Sequence, residues 1–294
     1  MVDFTFRRLR TPEEFRQAEE VQRLAFGLGT QSPVESSLQR VLQDNGGLIL
    51  GAFMDFRLVG LSLAFLGWDG EELYYWSHIT CVLPEYRNHK VGYRLKLAQR
   101  EEVLKQGLSK VRWTFDPLVS RNAHLNVHRL GASPERYLPH YYGALDSEAN
   151  RGLTTDRLRV TWTLNAPSVV QRLESPPPPD EGILQRVEKS QRLLSTEAGE
   201  VGLRVPTVVE EPSQGFTSGV LEIPFDLSAV REHQPESLRA WRQATREAFR
   251  ACFDLGACVD DFVVVSQDHE RRAYYLLSPE KSPRASPPEH AAAA

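Results

Sequence analysis

The sequence predicts an α/β fold in which helices flank a mixed central sheet, followed by a smaller α+β domain. Strand-like and helical patterns alternate over the first part of the chain, and their order is β-β-β-α-β-α-β after an initial helix. A run of four prolines, Pro176–Pro179, then separates this block from a region with one long amphipathic helix. A chain of 294 residues is long enough to build two such units.

The first helix is predicted over Pro12–Phe26. Thr11 has the side chain of an N-cap, Pro12 fits the first helical position, and Glu14 completes a capping box. Three segments rich in apolar, aromatic and β-branched residues then predict three consecutive strands, of which the first two form a hairpin. These segments are Leu48–Met54, Leu58–Leu66 and Leu73–Val82.

A second helix is predicted over Val91–Lys105, where the chain leaves a polar loop. The strand Lys110–Phe115 follows, and after it a short helix over Asn122–Leu130 that Gly131 stops. Leu158–Leu164 places its apolar side chains on one face, which is the pattern of a half-buried strand. These elements complete the predicted mixed sheet.

We expect the chain to divide into a domain over residues 1–166, a proline-rich linker over 167–180, an α+β domain over 181–278 and a flexible tail over 279–294. The α+β domain contains a helix with an apolar stripe, which fits either an intramolecular core or the contact of a homodimer. The stripe is Leu238, Trp241, Thr245, Ala248 and Cys252, and the strands expected around it are Val220–Ile223, Asp261–Val265 and Ala273–Leu277.

Composition and charge exclude several function classes. The chain has 35 basic and 39 acidic residues and a net charge of −4, so we expect no nucleic-acid partner. No apolar run approaches the ~20 residues of a membrane span, so we expect no membrane partner. The three cysteines lack CxxC spacing, and His124 and His128 have no evident third ligand. We therefore expect no metal and a cytoplasmic location.

The segment that follows the third strand carries the clearest chemical signal. A polar loop with Arg87, His89 and Lys90 leads into a helix whose first turn contains Gly92. Backbone N–H groups at such a helix start suit a phosphate, and a glycine lets a ligand approach the main chain closely. From these residues alone, the segment is either a phosphate-binding loop or an ordinary turn with a solvated basic surface.

Two motifs resemble the GNAT N-acyltransferase superfamily. Val82-Leu-Pro-Glu-Tyr-Arg87 followed by Val91-Gly92 resembles its acyl-coenzyme A loop, and Ser120–Gly131 resembles its N-x-x-A-x-x-L-Y-x-x-x-G-F helix. The resemblance covers about residues 4 to 165. Three further stretches resemble a bacterial GNAT subgroup in which a C-terminal extension follows the transferase domain. They are Trp113–Leu118, Tyr141–Gly143 and Gly152–Arg157.

The resemblance implies that acetyl-coenzyme A or another acyl-coenzyme A is a co-substrate. Its phosphates would rest on the loop, its pantetheine arm would pair with the edge of the Leu73–Val82 strand, and an amide near Val82 would polarise the thioester carbonyl. Asn122 would either bond the pantetheine amide or cap its own helix. The cofactor-binding residues implied are Cys81, Val82, Arg87, Asn88, His89, Lys90, Val91, Gly92, Tyr93 and Asn122.

The sequence departs from the family pattern at two positions. Lys90 stands where the loop usually has its first glycine, so a lysine would have to adopt a positive φ if the loop keeps its shape. Val127 stands where many members carry the tyrosine that protonates the leaving thiolate. The usual general acid is therefore missing.

Three residues are candidates for catalysis. His78 is our candidate general base, because strand alternation places it on one face with Thr80 and Val82 and an imidazole titrates near neutral pH. Its alternative is a structural histidine. Asp116 could be a second base, although Asp-Pro often begins a turn. Tyr142, beside Tyr141, could replace the missing acid, although adjacent tyrosines usually pack at a core edge.

The predicted function is transfer of an acetyl or succinyl group from acyl-coenzyme A to the primary amine of a small substrate. An amino acid is a candidate acceptor, because clustered arginines could bind a carboxylate. The alternatives are a non-catalytic regulatory module that binds acyl-coenzyme A and a protein N-acetyltransferase. The arginines are Arg121, Arg129, Arg136, Arg151 and Arg157.

Overall fold

The computed structural model describes residues 3–28, 33–143, 153–175, 182–213, 215–267 and 270–279. Within them the chain forms a seven-stranded and a five-stranded sheet with associated helices, which confirms the predicted fold class. No helix in these residues is both long enough and apolar enough to cross a membrane.

The larger sheet and its helices form the N-terminal unit. Its strands are β1 (Thr5–Arg8), β2 (Leu48–Met54), β3 (Arg57–Trp68), β4 (Leu73–Val82), β5 (Lys110–Phe115), β6 (Ser133–Leu138) and β7 (Arg157–Thr163). They are arranged in the order β1-β2-β3-β4-β5-β7-β6. The helices are α1 (Pro12–Phe26), α2 (Ser36–Asp44), α3 (Val91–Lys105) and α4 (Ser120–Ala123), and α4 continues as a π-helix over His124–Arg129.

The feature of this sheet that matters most is the contact between β4 and β5. All other neighbouring strands are antiparallel, whereas β4 and β5 run parallel and are joined by the crossover helix α3. Only two residue pairs hold them together, Tyr75 with Val111 and Trp76 with Arg112. Beyond Trp76 the two strands separate, which leaves a cleft between them in the middle of the sheet.

Most predicted elements of this unit have the expected positions. Helices α1 and α3 have the predicted bounds, and the Glu14 amide donates to Thr11 Oγ1 at 3.3 Å, as an N-cap requires. The predicted helix Asn122–Leu130 is instead the α4 and π-helix pair. The elements β1, α2 and β6 were not predicted; β6 contains Pro134, and proline in a strand is confined mainly to edges, where β6 lies.

The smaller sheet and its helices form the C-terminal unit. Its strands are β8 (Gln191–Ala198), β9 (Arg204–Val209), β10 (Gly219–Ile223), β11 (Cys258–Gln267) and β12 (Glu270–Ser278), in the order β11-β12-β10-β8-β9. The helices after β7 are α5 (Pro167–Glu174), α6 (Ile183–Lys189), α7 (Leu227–His233) and α8 (Ser237–Asp254). The first part of the predicted linker is therefore helix α5. The proline run and the predicted tail from residue 280 lie outside the described residues.

Helix α8 packs within the molecule. Its predicted apolar stripe is buried, with Trp241 and Cys252 fully covered, so the intramolecular alternative is the correct one for this face. Arg242 of α8 donates two hydrogen bonds, at 2.8 and 2.7 Å, to the carboxylate of Asp116 just after β5. Tyr275 of β12 donates to the carbonyl of Pro117 at 2.8 Å. The C-terminal unit thus fixes the end of β5.

We expect Asp116→Asn to destabilise the protein strongly. The side chains of Asp116 and Arg242 are 11% and 3% exposed, and removing one member of a buried pair leaves an uncompensated charge, at a cost of about 3–5 kcal/mol. Urea unfolding measures the loss. The matched control is Arg16→Gln, which breaks an exposed pair with Glu13 and is expected to cost less than about 0.5 kcal/mol. Equal losses in both variants would contradict this role for the pair.

Candidate functional site

The cleft between β4 and β5 presents unpaired backbone groups of β4. Leu83 N–H donates to Val59 O at 2.9 Å, so the peptide groups of Leu83 point toward β3. Since successive residues of a strand point their peptide groups to opposite sides, those of Val82 and Thr80 point toward the cleft. The cleft edge of β4 can therefore accept an extended ligand as an added strand.

A β-bulge at His78 changes which side chains share a face. Ser77 pairs with Ala64 and Ile79 with Leu63, so His78 is skipped in the register. Ser77 and Thr80 both face α3, because both connect through hydrogen bonds to Gln99, directly or by way of Ser62. Simple alternation would have placed them on opposite faces.

His78 therefore does not share a face with Thr80 and Val82, and that prediction is wrong. Its ring lies 6.1 Å from the ring of Phe65, the strand partner of Trp76. This places His78 beside Trp76 on the sheet face opposite α3, at the rim of the cleft. The imidazole is open to solvent on one side, yet the surrounding protein lowers its pKa by desolvation. A lowered pKa keeps the imidazole neutral near pH 7.

The floor of the cleft on the α3 side is closed by Lys96. Its ammonium donates to Ser77 Oγ of β4 at 2.8 Å and lies 3.9 Å from the ring centre of Trp113 in β5. It thus bridges the two strands near the point where they separate. Burial lowers the pKa of this lysine to about 7. Nothing in the sequence distinguishes Lys96 from an ordinary helical lysine, so it is not among the predicted site residues.

The loop between β4 and α3 has the shape that the sequence motif implies. Asn88 and Lys90 adopt φ of 68° and 58°, so a lysine does occupy the left-handed conformation that usually calls for glycine. The backbone N–H groups from Asn88 to Tyr93 donate no hydrogen bond within the described residues. They lie at the N-terminal end of a 15-residue helix, where the helix dipole favours an anion.

Gly92 leaves a space beside these amides. A Cβ added there would meet only Val82 Cγ2, at 3.8 Å, which is ordinary van der Waals contact. Neither the backbone nor the packing of the protein itself therefore requires glycine at this position. The absence of a side chain instead leaves the first turn of α3 open to a ligand that approaches the main chain.

The other predicted cofactor residues surround this opening. Arg87 is exposed and donates to Ala25 O at 2.7 Å, while His89 Nδ1 lies 2.9 Å from Arg87 O. The Arg129 guanidinium stacks 5.0 Å from the ring centre of Tyr93, which brings the π-helix next to the start of α3.

The positions of Cys81 and Asn122 in the structure differ from those that the sequence predicts. The Cys81 thiol is buried, and burial raises its pKa to about 12; like those of Leu83, the peptide groups of Cys81 point toward β3, so Cys81 does not line the cleft. Helix α4 begins at Ser120, so Asn122 lies inside the helix and is not its cap. A pantetheine contact of Asn122 stays a prediction. Val127, at the position of the family tyrosine, is buried in the core.

Asp116 is not available as a general base. Both of its carboxylate oxygens accept from Arg242, and one of them also accepts from Leu118 N at 2.9 Å. Asp116 therefore begins a turn, as Asp-Pro often does, and the ion pair with Arg242 stabilises that turn further. The partner lies 126 residues away in sequence, so local reasoning could not identify it.

Tyr142 lies on the β5 side of the cleft. Its hydroxyl is 3.1 Å from Thr114 Oγ1, and its ring packs edge to face against Tyr141. Thr114 shares a sheet face with Arg112, whose strand partner is Trp76, so Tyr142 and His78 lie on the same side of the sheet. The two catalytic candidates that remain therefore lie on one face of the sheet, one beside each wall of the cleft.

The five predicted arginines do not form one cluster. Arg129 lies against Tyr93 at the start of α3, Arg121 is exposed on α4, and Arg151 lies outside the described residues. Arg136 and Arg157 lie on β6 and β7. Among the residues that the structure describes, no group of three or more His, Cys, Asp or Glu side chains could hold a metal ion.

Comparison with known proteins gives structural neighbours only. No protein-family profile and no curated protein matches the sequence. Similar solved structures include the Escherichia coli ribosomal-protein-S18-alanine N-acetyltransferase (15% identity, 56% of this chain, 96% of that chain, TM-score 0.45). They also include an aminoglycoside 6'-acetyltransferase type Ii (17%, 55%, 98%, 0.44) and a GNAT-family acetyltransferase from Streptococcus pneumoniae (13%, 54%, 98%, 0.44). Close to half of this chain has no counterpart in these three.

We expect Lys96→Met to change how stability depends on pH. The pKa of Lys96 is about 7 in the folded protein and about 10.4 when unfolded, so between these values only the unfolded chain holds the proton. The wild-type free energy of unfolding therefore gains a term that rises with pH, by up to about 1.4 kcal/mol per pH unit. Lys96→Met lacks this term.

Urea unfolding at pH 7, 8 and 9 tests this. The stability advantage of Lys96→Met over wild type should shrink as the pH rises. Lys189→Met, at an exposed position of α6, is the control and should differ from wild type by a constant amount. A constant difference for Lys96→Met as well would show that Lys96 keeps its proton in the folded protein.

Proposed function

We propose that this protein is an acyl-coenzyme A-dependent N-acyltransferase that acylates a small primary amine. The observation that carries the proposal is the cleft between β4 and β5, which leads directly to the amide-lined first turn of α3. The unpaired edge of β4 and the anion-binding start of α3 follow one another. This arrangement suits a ligand that has an extended, amide-bearing arm and a pyrophosphate.

Residues along the cleft edge of β4 and in the loop after it fit this co-substrate. The amides from Asn88 to Tyr93 would hold the phosphates, and Arg87, His89 and Lys90 would add positive charge. The Val82 and Thr80 peptide groups would pair with the pantetheine arm. The space left at Gly92 would let the phosphates approach the main chain at the start of α3. When bound, the thioester supplies an activated acyl carbon and a leaving thiolate.

The amine must lose its proton to become a nucleophile. An amine with a pKa of ~10.4 is neutral in only about one molecule in 2,500 at pH 7, so a nearby base is needed. His78 is neutral at that pH because its pKa is lowered, and it is open to solvent at the cleft rim. We assign it the role of accepting the amine proton.

Protonation of the leaving group falls to Tyr142 in this proposal. Val127 has no acidic group and is buried, whereas the Tyr142 hydroxyl is on the face of the sheet that His78 occupies. Thr114 orients that hydroxyl from β5. The Val82 amide, aimed into the cleft, would stabilise negative charge on the carbonyl oxygen.

Gly92→Ala separates the proposed ligand role of this glycine from a structural one. Since alanine is preferred over glycine inside a helix and its Cβ meets no close atom, the variant should be more stable by about 0.5–1 kcal/mol. Because the same Cβ fills the space for the ligand, affinity for coenzyme A should fall by about 10-fold or more. Calorimetric titration and urea unfolding of both proteins measure the two effects.

The central test adds a free-thiol release assay with acetyl- and succinyl-coenzyme A over a panel of small amines. Binding with amine-dependent thiol release would support the transferase and identify the donor. Binding without release would favour a regulatory module or a protein acceptor, and absence of binding would refute the proposal.

His78→Gln should lower kcat/KM by about 10²- to 10⁴-fold, as expected for loss of a general base. In the wild type, kcat/KM should fall as the pH drops below the lowered pKa of His78, because the imidazole becomes protonated. The variant should lose this acidic limb. His233→Gln, on an exposed position of α7, is the control and should keep both rate and profile. An unchanged acidic limb in His78→Gln would exclude His78 as the base.

A further inference from the structure

Four arginines extend from one face of the sheet beside the cleft. We call Arg112, Arg136, Arg157 and Arg159 the arginine face. Arg159 pairs in register with Thr114 of β5 on one side and with Arg136 of β6 on the other. Since directly paired residues point to the same side of a sheet, all three belong to the face opposite α3. This is the face on which Tyr142 and His78 lie.

Two of these arginines already have carboxylate partners. Arg112 donates to Asp69 at 2.7 Å. Arg157 lies 3.7 Å from Asp116 and 5.4 Å from the ring centre of Tyr142. The charges of both arginines are therefore already paired with carboxylates of the protein itself.

Arg136 and Arg159 differ from this pair. Neither side chain forms a hydrogen bond or an ion pair with any residue that the structure describes, and Arg159 Nε is buried without a partner. Burial lowers the pKa of Arg159, and the positive charges of Arg136 and Arg112 lower it further, while Glu135 acts in the opposite sense. Glu135 itself accepts a hydrogen bond from Thr161.

This arrangement is unfavourable for the protein alone. Like charges directly opposite on paired strands destabilise a sheet, and Arg159, partly buried and without a side-chain hydrogen-bond partner, loses solvation that the nearby Glu135 offsets only in part. A bound anion between the two guanidinium groups would remove both costs. Arginine is also the side chain that binds a carboxylate through two parallel hydrogen bonds.

We infer that Arg136 and Arg159 form a binding site for a carboxylate carried by the acceptor amine. The inference rests on the proposed function and specifies its substrate class: a small molecule with both a primary amine and a carboxylate. Arg159 is separated from β4 only by β5, a distance of about two strand spacings, ~10 Å, which the long arginine side chain shortens. An acceptor held there would have its amine near the cleft rim.

The test compares acceptors with and without the carboxylate, with kcat/KM referred to the unprotonated amine, because replacing the carboxylate by a carboxamide also lowers the pKa of the amine. The thiol-release assay is run on the common amino acids, each paired with its carboxamide, for wild type, Arg159→Gln, Arg159→Lys and the control Arg239→Gln on the exposed side of α8. For wild type we expect kcat/KM to favour the carboxylate by about 10- to 100-fold, as for a charge-assisted hydrogen-bonded pair. Arg159→Gln should reduce this preference to a few-fold, mainly through KM, and Arg159→Lys should restore part of it.

Each other outcome counts against the inference. Equal use of acid and amide by the wild type, or an unchanged preference in Arg159→Gln, would overturn it. Coenzyme A binding without use of any amino acid would overturn it too, and lack of coenzyme A binding would instead refute the proposed function. Urea unfolding is a second readout: removing a partly buried charge that has no side-chain hydrogen-bond partner should leave Arg159→Gln at least as stable as wild type, whereas loss of a structural arginine would make the protein less stable.

Discussion

The separation of β4 and β5 is the constraint on which the rest of the site depends. The two strands share only the pairs at Tyr75 and Trp76, and from there on the edge of β4 has no neighbouring strand. In an ordinary parallel pair those peptide groups would be satisfied by the next strand. Here they remain directed into a cleft, and the crossover helix α3 begins at the end of that same edge. A strand edge and a helix start therefore meet because of one local divergence in the sheet.

Two sets of contacts, one at the floor of the cleft and one at the end of β5, hold it open. On the α3 side, Lys96 lies between Ser77 and Trp113, and its side chain fills the space where the two strands begin to separate. Burying its ammonium there costs solvation energy. On the other side, the ion pair of Asp116 with Arg242 fixes the end of β5 to α8. The C-terminal unit is therefore part of the framework of the site. It sets the position of the far wall of the cleft and of Tyr142 beside that wall.

The sequence predicted correctly those elements whose structure depends on residues close together in the chain. The capped helix at Pro12 and the helix after the loop have the expected bounds, and Lys90 adopts the positive φ that its place in the motif implies. The failures involve distant or irregular features. A single skipped residue in the register moved His78 to the other face relative to Thr80, and no pattern in the sequence marks such a bulge. Asp116 looked free because its partner is on a helix of the other unit. The pairing of Arg136 with Arg159 likewise depends on a register that only the folded sheet reveals.

The same geometry separates two groups of positive charge. The amides and basic side chains at the start of α3 lie at the end of β4, whereas the arginine face lies across β5 on the face opposite α3. In the proposed reaction an anionic co-substrate and an anionic acceptor would otherwise repel each other at close range. Distinct sites with their own cations let each anion be neutralised where it binds, so that only the thioester and the amine need to meet at the cleft. In this proposal His78 lies at that meeting point without a carboxylate partner among the described residues, and desolvation lowers its pKa, so the imidazole is unprotonated and can accept the proton of the incoming amine.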